Sequence, residues 1–104
     1  MLAAHACATL DEVRAEIDRV DRALVALIAE RAPYVTRAGQ LKSRAADIPA
    51  PARVEEVVRR VRARACELGA PPEVVERTWR AMIAAFIEFE LAGHPTSSPP
   101  DAPA

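Results

Sequence analysis

The fold is decided by residues 10–41, which read LDEVRAEIDRVDRALVALIAERAPYVTRAGQL. Apolar residues recur there in alternating steps of three and four, the spacing that places side chains along one face of an α-helix. The members of this stripe are Leu10, Val13, Ile17, Val20, Leu24, Leu27, Tyr34, Ala38 and Leu41. Thr9 and Glu12 have the spacing of a capping box at its start. The pattern predicts one helix of about 35 residues, about 50 Å long.

Pro33 interrupts this predicted helix. Proline cannot donate a backbone hydrogen bond to residue 29 and usually kinks a helix. The apolar stripe resumes in phase at Tyr34, so we expect one bent helix. The alternative is two helices that are broken at Ala32.

Two shorter helical patterns follow a loop. The loop, residues 46–51, contains two prolines, which exclude a helix interior. The second helix is predicted to begin near Pro51 and to stop at Gly69. The third is predicted to open at Pro71-Pro72 and to end near Leu91. The chain is therefore predicted to be all-α, with one long helix and two helices of about 20 residues.

The two ends of the chain lack helical periodicity. Residues 1–9 are predicted to form a flexible N-terminus. Residues 93–104 are rich in proline and serine and are predicted to be a disordered tail. This leaves residues 10–92 as the folded domain.

The predicted helix lengths leave apolar surface uncovered. Two helices of about 30 Å cannot cover both ends of a helix of about 50 Å. A chain with fewer than about 100 structured residues also has a thin core of its own. We therefore expect an intertwined homodimer in which the long helices pair.

Composition argues against several classes of protein. The chain carries 14 Lys and Arg against 15 Asp and Glu, a formal net charge of −1, whereas nucleic-acid binders usually have a basic excess. No apolar run approaches the length of about 18 residues that a membrane helix needs. The two cysteines form no CxxC pair, so we expect neither a zinc site nor a disulfide framework. A cytoplasmic location is expected.

Polar residues on the apolar stripes are candidates for a functional site. Arg31 occupies a stripe position of the first helix, and Glu90 continues the stripe of the third. An arginine in a helical core needs an anionic partner. Burial favours the neutral, proton-donating form of a carboxyl group. The two residues could also simply form a buried salt bridge, or Arg31 could reach solvent at a dimer edge.

Three more cations complete the candidate set. Arg14 lies one step off the stripe, Lys42 is the only lysine of the chain, and Arg53 lies just inside the second helix. Each could be an ordinary surface charge. Together with Arg31, they would suit a small dicarboxylate held by charge-assisted hydrogen bonds. Because no Ser, Cys or His constellation indicates a nucleophile, the chemistry would depend on orientation and electrostatic stabilisation.

The segment LDEVRAEIDRVD, residues 10–21, closely resembles the opening of the all-helical (type II) chorismate mutases. The resemblance continues to Arg31 and to Lys42, eleven residues later, and spans roughly residues 10–92. It implies an intertwined homodimer with two equivalent pockets that converts chorismate to prephenate. It also implies that no metal and no cofactor are needed.

The resemblance implies a role for each candidate residue. Arg14 would reach into the partner's pocket to bind one substrate carboxylate, and Arg31 would bind the other. Lys42 would donate a hydrogen bond to the substrate's ether oxygen, and Arg53 would support the positive charge of the pocket. Glu90 stands where bacterial members carry Gln and some fungal members carry Glu. It must be protonated to donate to the ether oxygen, so activity should rise as the pH falls.

The loop and the start of the second helix are similar to one branch of this family. Residues 46–54, ADIPAPARV, resemble the isochorismate-pyruvate lyases, which form salicylate and pyruvate. Chorismate mutases often carry a Glu directly after the Arg of helix two, where Val54 stands here. The lyase is therefore the alternative to the mutase. A second alternative is a non-catalytic helical dimer that regulates a partner enzyme.

Overall fold

A computed structural model describes residues 1–94. These residues form three α-helices and contain no β-strand. The helices are α1, Leu10–Leu41, α2, Pro51–Leu68, and α3, Pro72–Gly93; single turns of 3-10 helix lie at Ala4–Ala6 and Ala45–Asp47. The prediction of an all-α chain with one long and two shorter helices is confirmed. None of the described helices is both long and apolar enough to cross a membrane.

Thr9 caps the start of α1, and it contacts Glu12, the residue with which the spacing predicts a capping box. The backbone N–H of Glu12 donates to Thr9 Oγ1 over 3.1 Å, and that hydroxyl donates to Glu12 Oε1 over 3.4 Å. Asp11 and Glu12 lie in the first turn, where the positive end of the helix dipole favours carboxylates. The cap therefore satisfies N-terminal groups that have no partner within the helix.

Pro33 lies inside α1 without ending it, because α1 continues to Leu41. The prediction of one helix, rather than two broken at Ala32, is confirmed. The compact packing of the chain nevertheless divides close to this proline. Of the described residues, 1–34 form a first unit and 35–94 belong to a second.

In the first unit, the N-terminal segment folds back toward α1. The backbone N–H of Leu2 donates to the carboxylate of Glu16. This bond, with that from Arg19, holds the pKa of Glu16 below its ordinary value. The 3-10 turn Ala4–Ala6 is an element that the sequence did not predict. The stripe of α1 stays largely exposed, with Ile17 52% and Leu27 60% accessible.

In the second unit, α2 and α3 pack against each other. Val58 and Ala65 of α2 are buried, and so is Ile48 of the preceding loop. The helix α2 ends as predicted at Gly69, which adopts the left-handed conformation with φ 73°. Glycine adopts this conformation without the steric cost that a Cβ would add.

Ion pairs tie α2 to α3 along their exposed edges. Arg80 donates to both carboxylate oxygens of Glu55, over 2.7 and 2.9 Å, and to Glu76 over 2.7 Å. Arg62 bonds Glu73 and Glu76 from the other helix. The spacing within α2 predicts helical pairs with arginines four residues on. Glu56 does pair with Arg60 in this way, whereas Glu55 reaches across to α3.

The end of α3 differs from its predicted boundary. The helix ends at Gly93, and His94 is only 8% exposed. The prediction that both residues belong to a disordered tail is wrong for these two. The helix continues through Gly93, and His94 Nε2 hydrogen-bonds the carbonyl oxygen of Lys42. The remainder of the predicted tail, residues 95–104, lies outside the described residues.

Candidate functional site

Two of the five predicted site residues, Lys42 and Glu90, are in contact in the second unit. Lys42 Nζ lies 3.4 Å from Glu90 Oε2. The side chain of Lys42 is 27% exposed and that of Glu90 only 7%. Although 48 positions separate them in sequence, the fold brings an ammonium group and a shielded carboxyl group together.

The loop after α1 also holds Lys42. Its Nζ donates to the carbonyl oxygen of Ile48 over 3.2 Å. The side chain of Ile48 is 2% exposed and therefore anchors this part of the loop in the core. The Lys42 ammonium group thus has one partner from the loop and one from α3.

Gly39 is a site residue that the sequence analysis missed. It is buried, and a Cβ placed on it would lie 2.9 Å from Glu90 Oε2. That distance is shorter than an ordinary contact, so any larger residue would displace the carboxyl group. The available signal was its position within α1, one turn before Lys42. Glycine costs about 1 kcal/mol relative to alanine in a helix interior, and a functional or packing reason often accounts for it.

His94 is a second residue that the sequence analysis missed. Its Nε2 lies 2.8 Å from the carbonyl oxygen of Lys42. It follows Glu90 by four positions, so the end of α3 supplies a contact to the side chain and another to the backbone of Lys42. The four-residue spacing was the available signal, but histidines follow helices in many proteins without any role in a site.

A cavity of about 390 Å³ borders this cluster. Small-molecule sites commonly measure about 300–1,000 Å³. The lining residues are Thr36, Gly39, Gln40, Phe89, Glu90, Ala92, Gly93 and His94. Glu90 belongs both to this lining and to the contact with Lys42, so a molecule in the cavity would meet the shielded carboxyl group.

The three predicted arginines occupy other environments. Arg53 is in α2, where it donates to Glu56 over 2.8 Å with a side chain that is 58% exposed. Arg14 and Arg31 belong to the first unit, the former exposed and the latter half-buried. The structure thus joins Lys42 to Glu90, while the contribution of the arginines to a site stays a prediction.

The comparison with known families decides what kind of protein carries this arrangement. The family model for chorismate mutase type II matches residues 13–91. The chain belongs to the chorismate mutase type II family. The T-protein of Enterobacter agglomerans is similar to it, with 36% identity over 77 residues. That alignment covers 73% of this chain and 21% of the T-protein, so the chain spans about a fifth of that relative's length. No solved structure matches the chain.

Membership of the chorismate mutase family confirms the resemblance inferred from residues 10–21. All five predicted site residues lie inside the matched range, and so does Gly39, whereas His94 lies three residues beyond it. Within residues 1–94, no three His, Cys, Asp or Glu side chains are grouped so that they could hold a metal ion.

Proposed function

We propose that this member of the chorismate mutase family converts chorismate to prephenate, with Lys42 and Glu90 acting on the ether oxygen. The observation that carries the proposal is the contact between Lys42 Nζ and Glu90 Oε2, beside a cavity that Glu90 lines. Glu90 lines that cavity, and Lys42 lies next to it through its contact with the Glu90 carboxyl group.

The reaction is an intramolecular rearrangement. The ether C–O bond of chorismate breaks while a new C–C bond forms, and negative charge develops on the ether oxygen. Donors fixed beside that oxygen stabilise the transition state more than the ground state. An ammonium group has three donor hydrogens. Since Lys42 uses two contacts, to Ile48 and Glu90, one donor is available for the substrate.

Glu90 would donate the second hydrogen bond to the ether oxygen. A carboxylate only accepts hydrogen bonds, so the donor role requires the protonated form. We therefore expect turnover to rise as the pH falls.

The arginines would bind the two substrate carboxylates. Arg31 would bind one, and the partner's Arg14 would bind the other in an intertwined homodimer. The exposed stripe of α1 supports this dimer, because a contiguous apolar surface commonly marks an interface. Arg53 would add positive charge after leaving Glu56. Exposed ion pairs are worth only about 0–1 kcal/mol, so that release costs little.

The test is prephenate formation from chorismate by the purified chain and by Lys42→Ala. We expect kcat to fall by about 100-fold or more, the typical loss when a donor to a developing oxyanion is removed. Arg44→Ala is the matched control. Its side chain is 72% exposed and pairs only with Asp47 among the ion pairs described, so its turnover should stay near that of the wild type. Unchanged turnover by Lys42→Ala would refute the assignment.

A second candidate is isochorismate-pyruvate lyase activity in the same pocket. Its support is the apolar Val54 after Arg53, and the resemblance of residues 46–54 to that branch. In this reaction a hydrogen moves within isochorismate as the ether C–O bond breaks, giving salicylate and pyruvate. Parallel assays with chorismate and isochorismate separate the candidates by their kcat/KM values. A chain that turns over neither substrate would instead support the non-catalytic dimer that regulates a partner enzyme.

A further inference from the structure

We propose that His94 is a positioning residue that fixes Lys42 through its backbone. Lys42 directly follows the last residue of α1. The last carbonyl groups of a helix have no hydrogen-bond partner within that helix. The carbonyl oxygen of Lys42 accepts a hydrogen bond from His94 Nε2 over 2.8 Å. The inference rests on the proposed function of Lys42 and extends it to a residue outside the family match.

The hydrogen bond connects the residue after α1 with the residue after α3. Lys42 and His94 are 52 positions apart, and His94 is 8% exposed. A buried hydrogen bond between such distant segments restricts the backbone of both. The same end of α3 carries Glu90, whose Oε2 contacts Lys42 Nζ. One short segment therefore fixes both the main chain of Lys42 and the direction of its ammonium group.

The chemistry of this bond makes it independent of the charge on the ring. A carbonyl oxygen can only accept, so Nε2 must carry the hydrogen. Both the neutral ring with hydrogen on Nε2 and the imidazolium ion meet that requirement. His94 accordingly serves as a donor to the backbone of Lys42.

Two substitutions separate the hydrogen bond from packing. His94→Leu keeps comparable bulk but removes the donor, whereas His94→Gln can place an amide N–H near the position of Nε2. A small displacement of a catalytic group can cost up to about 100-fold in rate. We expect His94→Leu to lower kcat about tenfold with little change in KM, and His94→Gln to recover most of the loss. His5→Leu, at an exposed histidine of the first unit, is the control.

A second readout does not depend on activity. Lys42 is the only lysine of the chain, so protein labelled with ¹⁵N in lysine gives one Nζ signal in NMR spectra. Acylation of Lys42 by a lysine-directed reagent can likewise be followed at one peptide by mass spectrometry. We expect His94→Leu to shift this signal and to speed acylation, while His94→Gln and His5→Leu stay close to the wild type.

The outcomes distinguish this inference from the proposed function. A lower kcat for His94→Leu, a mobile Lys42 and recovery in His94→Gln support the positioning role. An unchanged Lys42 signal and acylation rate in His94→Leu overturn it, as does a loss of melting temperature without a change in kcat. If the wild type turns over no chorismate while Lys42 still responds to His94→Leu, the proposed function fails and the positioning of Lys42 stands.

Discussion

The two units of this chain differ in what covers their apolar side chains. In the second unit, Val58 and Ala65 of α2 are buried, and arginine–carboxylate pairs join α2 to α3. In the first unit, every residue from 21 to 30 is exposed, although the range includes the stripe residues Leu24 and Leu27. The second unit has a core and the Lys42–Glu90 contact. The first unit has an apolar stripe and two of the predicted arginines, but the side chains of the stripe are largely exposed.

This contrast indicates a division of labour within the proposed enzyme. The second unit would supply the groups that act on the ether oxygen, and its own packing holds them. The first unit would supply carboxylate-binding arginines, and a second copy of the chain would cover its stripe. Substitutions should therefore act through association in the first unit and through local geometry in the second.

The largest effect is expected from Leu24→Asp in the first unit. A carboxylate in the middle of the proposed helix pairing would lose its hydration without gaining a partner, which costs several kcal/mol. We expect the variant to be monomeric by light scattering and to lose more than about 100-fold in turnover. Leu68→Asp places the same charge at the end of α2, where the leucine is 66% exposed, and should leave both quantities unchanged. A dimeric, active Leu24→Asp protein would refute the pairing.

A smaller effect is expected from Gly39→Ala in the second unit. The new Cβ would displace Glu90 Oε2, and we expect kcat to fall about tenfold. The carboxyl group lies at the end of a flexible side chain, so the displacement is inexpensive. Because alanine favours a helix by about 1 kcal/mol over glycine, the melting temperature should not fall. Ala38→Gly is the mirror control: it should lower stability by a similar amount and preserve turnover. Full activity of Gly39→Ala would contradict the close fit.

A change in pH dependence is expected from Glu90→Gln. An amide donates a hydrogen bond at every pH, whereas the carboxyl group donates only when it is protonated. The wild-type kcat should rise as the pH falls, and the profile of Glu90→Gln should be flatter. Glu88→Gln, at an exposed position two residues earlier, should retain the wild-type profile. An unchanged acid-favoured profile in Glu90→Gln would mean that another group titrates.

The smallest effect concerns stability in acid. Hydrogen bonds from Arg80 hold the pKa of Glu55 below its ordinary value, and Arg80 and Arg62 do the same for Glu76. A carboxyl group with a lowered pKa in the folded state stabilises the protein above about pH 4.5, and this contribution is lost as the pH falls through the folded-state pKa. We expect Arg80→Gln to lower the melting temperature slightly at pH 7 and not at pH 2. Equal effects at both pH values would show that these pairs contribute little.

The sequence predicts the helices well because their signals are local. The cap formed by Thr9 at Glu12 and the stop at Gly69 each depend on residues within one or two turns. The site is predicted only in part. The pattern identifies Lys42 and Glu90 as unusual, and family resemblance gives them roles. Their contact joins residues 48 positions apart, and such pairing is set by tertiary packing that no periodicity reveals.

The remaining site residues escape sequence reasoning for the same physical cause. The importance of Gly39 arises from the approach of Glu90, and that of His94 from its bond to a backbone carbonyl. Every residue has a backbone carbonyl group, so the sequence does not show which of them accepts a hydrogen bond from a side chain. The spacing within α2 predicts that Glu55 pairs with an arginine of its own helix. It pairs instead with Arg80 of α3, which is apparent only once α2 and α3 are packed together.

The central claim is that each pocket combines the second unit of one protomer with Arg14 of its partner. It is tested most directly by mixing two inactive variants, Arg14→Ala and Lys42→Ala, and allowing subunits to exchange. Random pairing makes about half of the dimers mixed, and each mixed dimer has one pocket with both native residues. We predict that turnover of chorismate recovers to about a quarter of the wild-type value. A mixture no more active than its separate components, with exchange verified by mass spectrometry, would contradict the shared pocket.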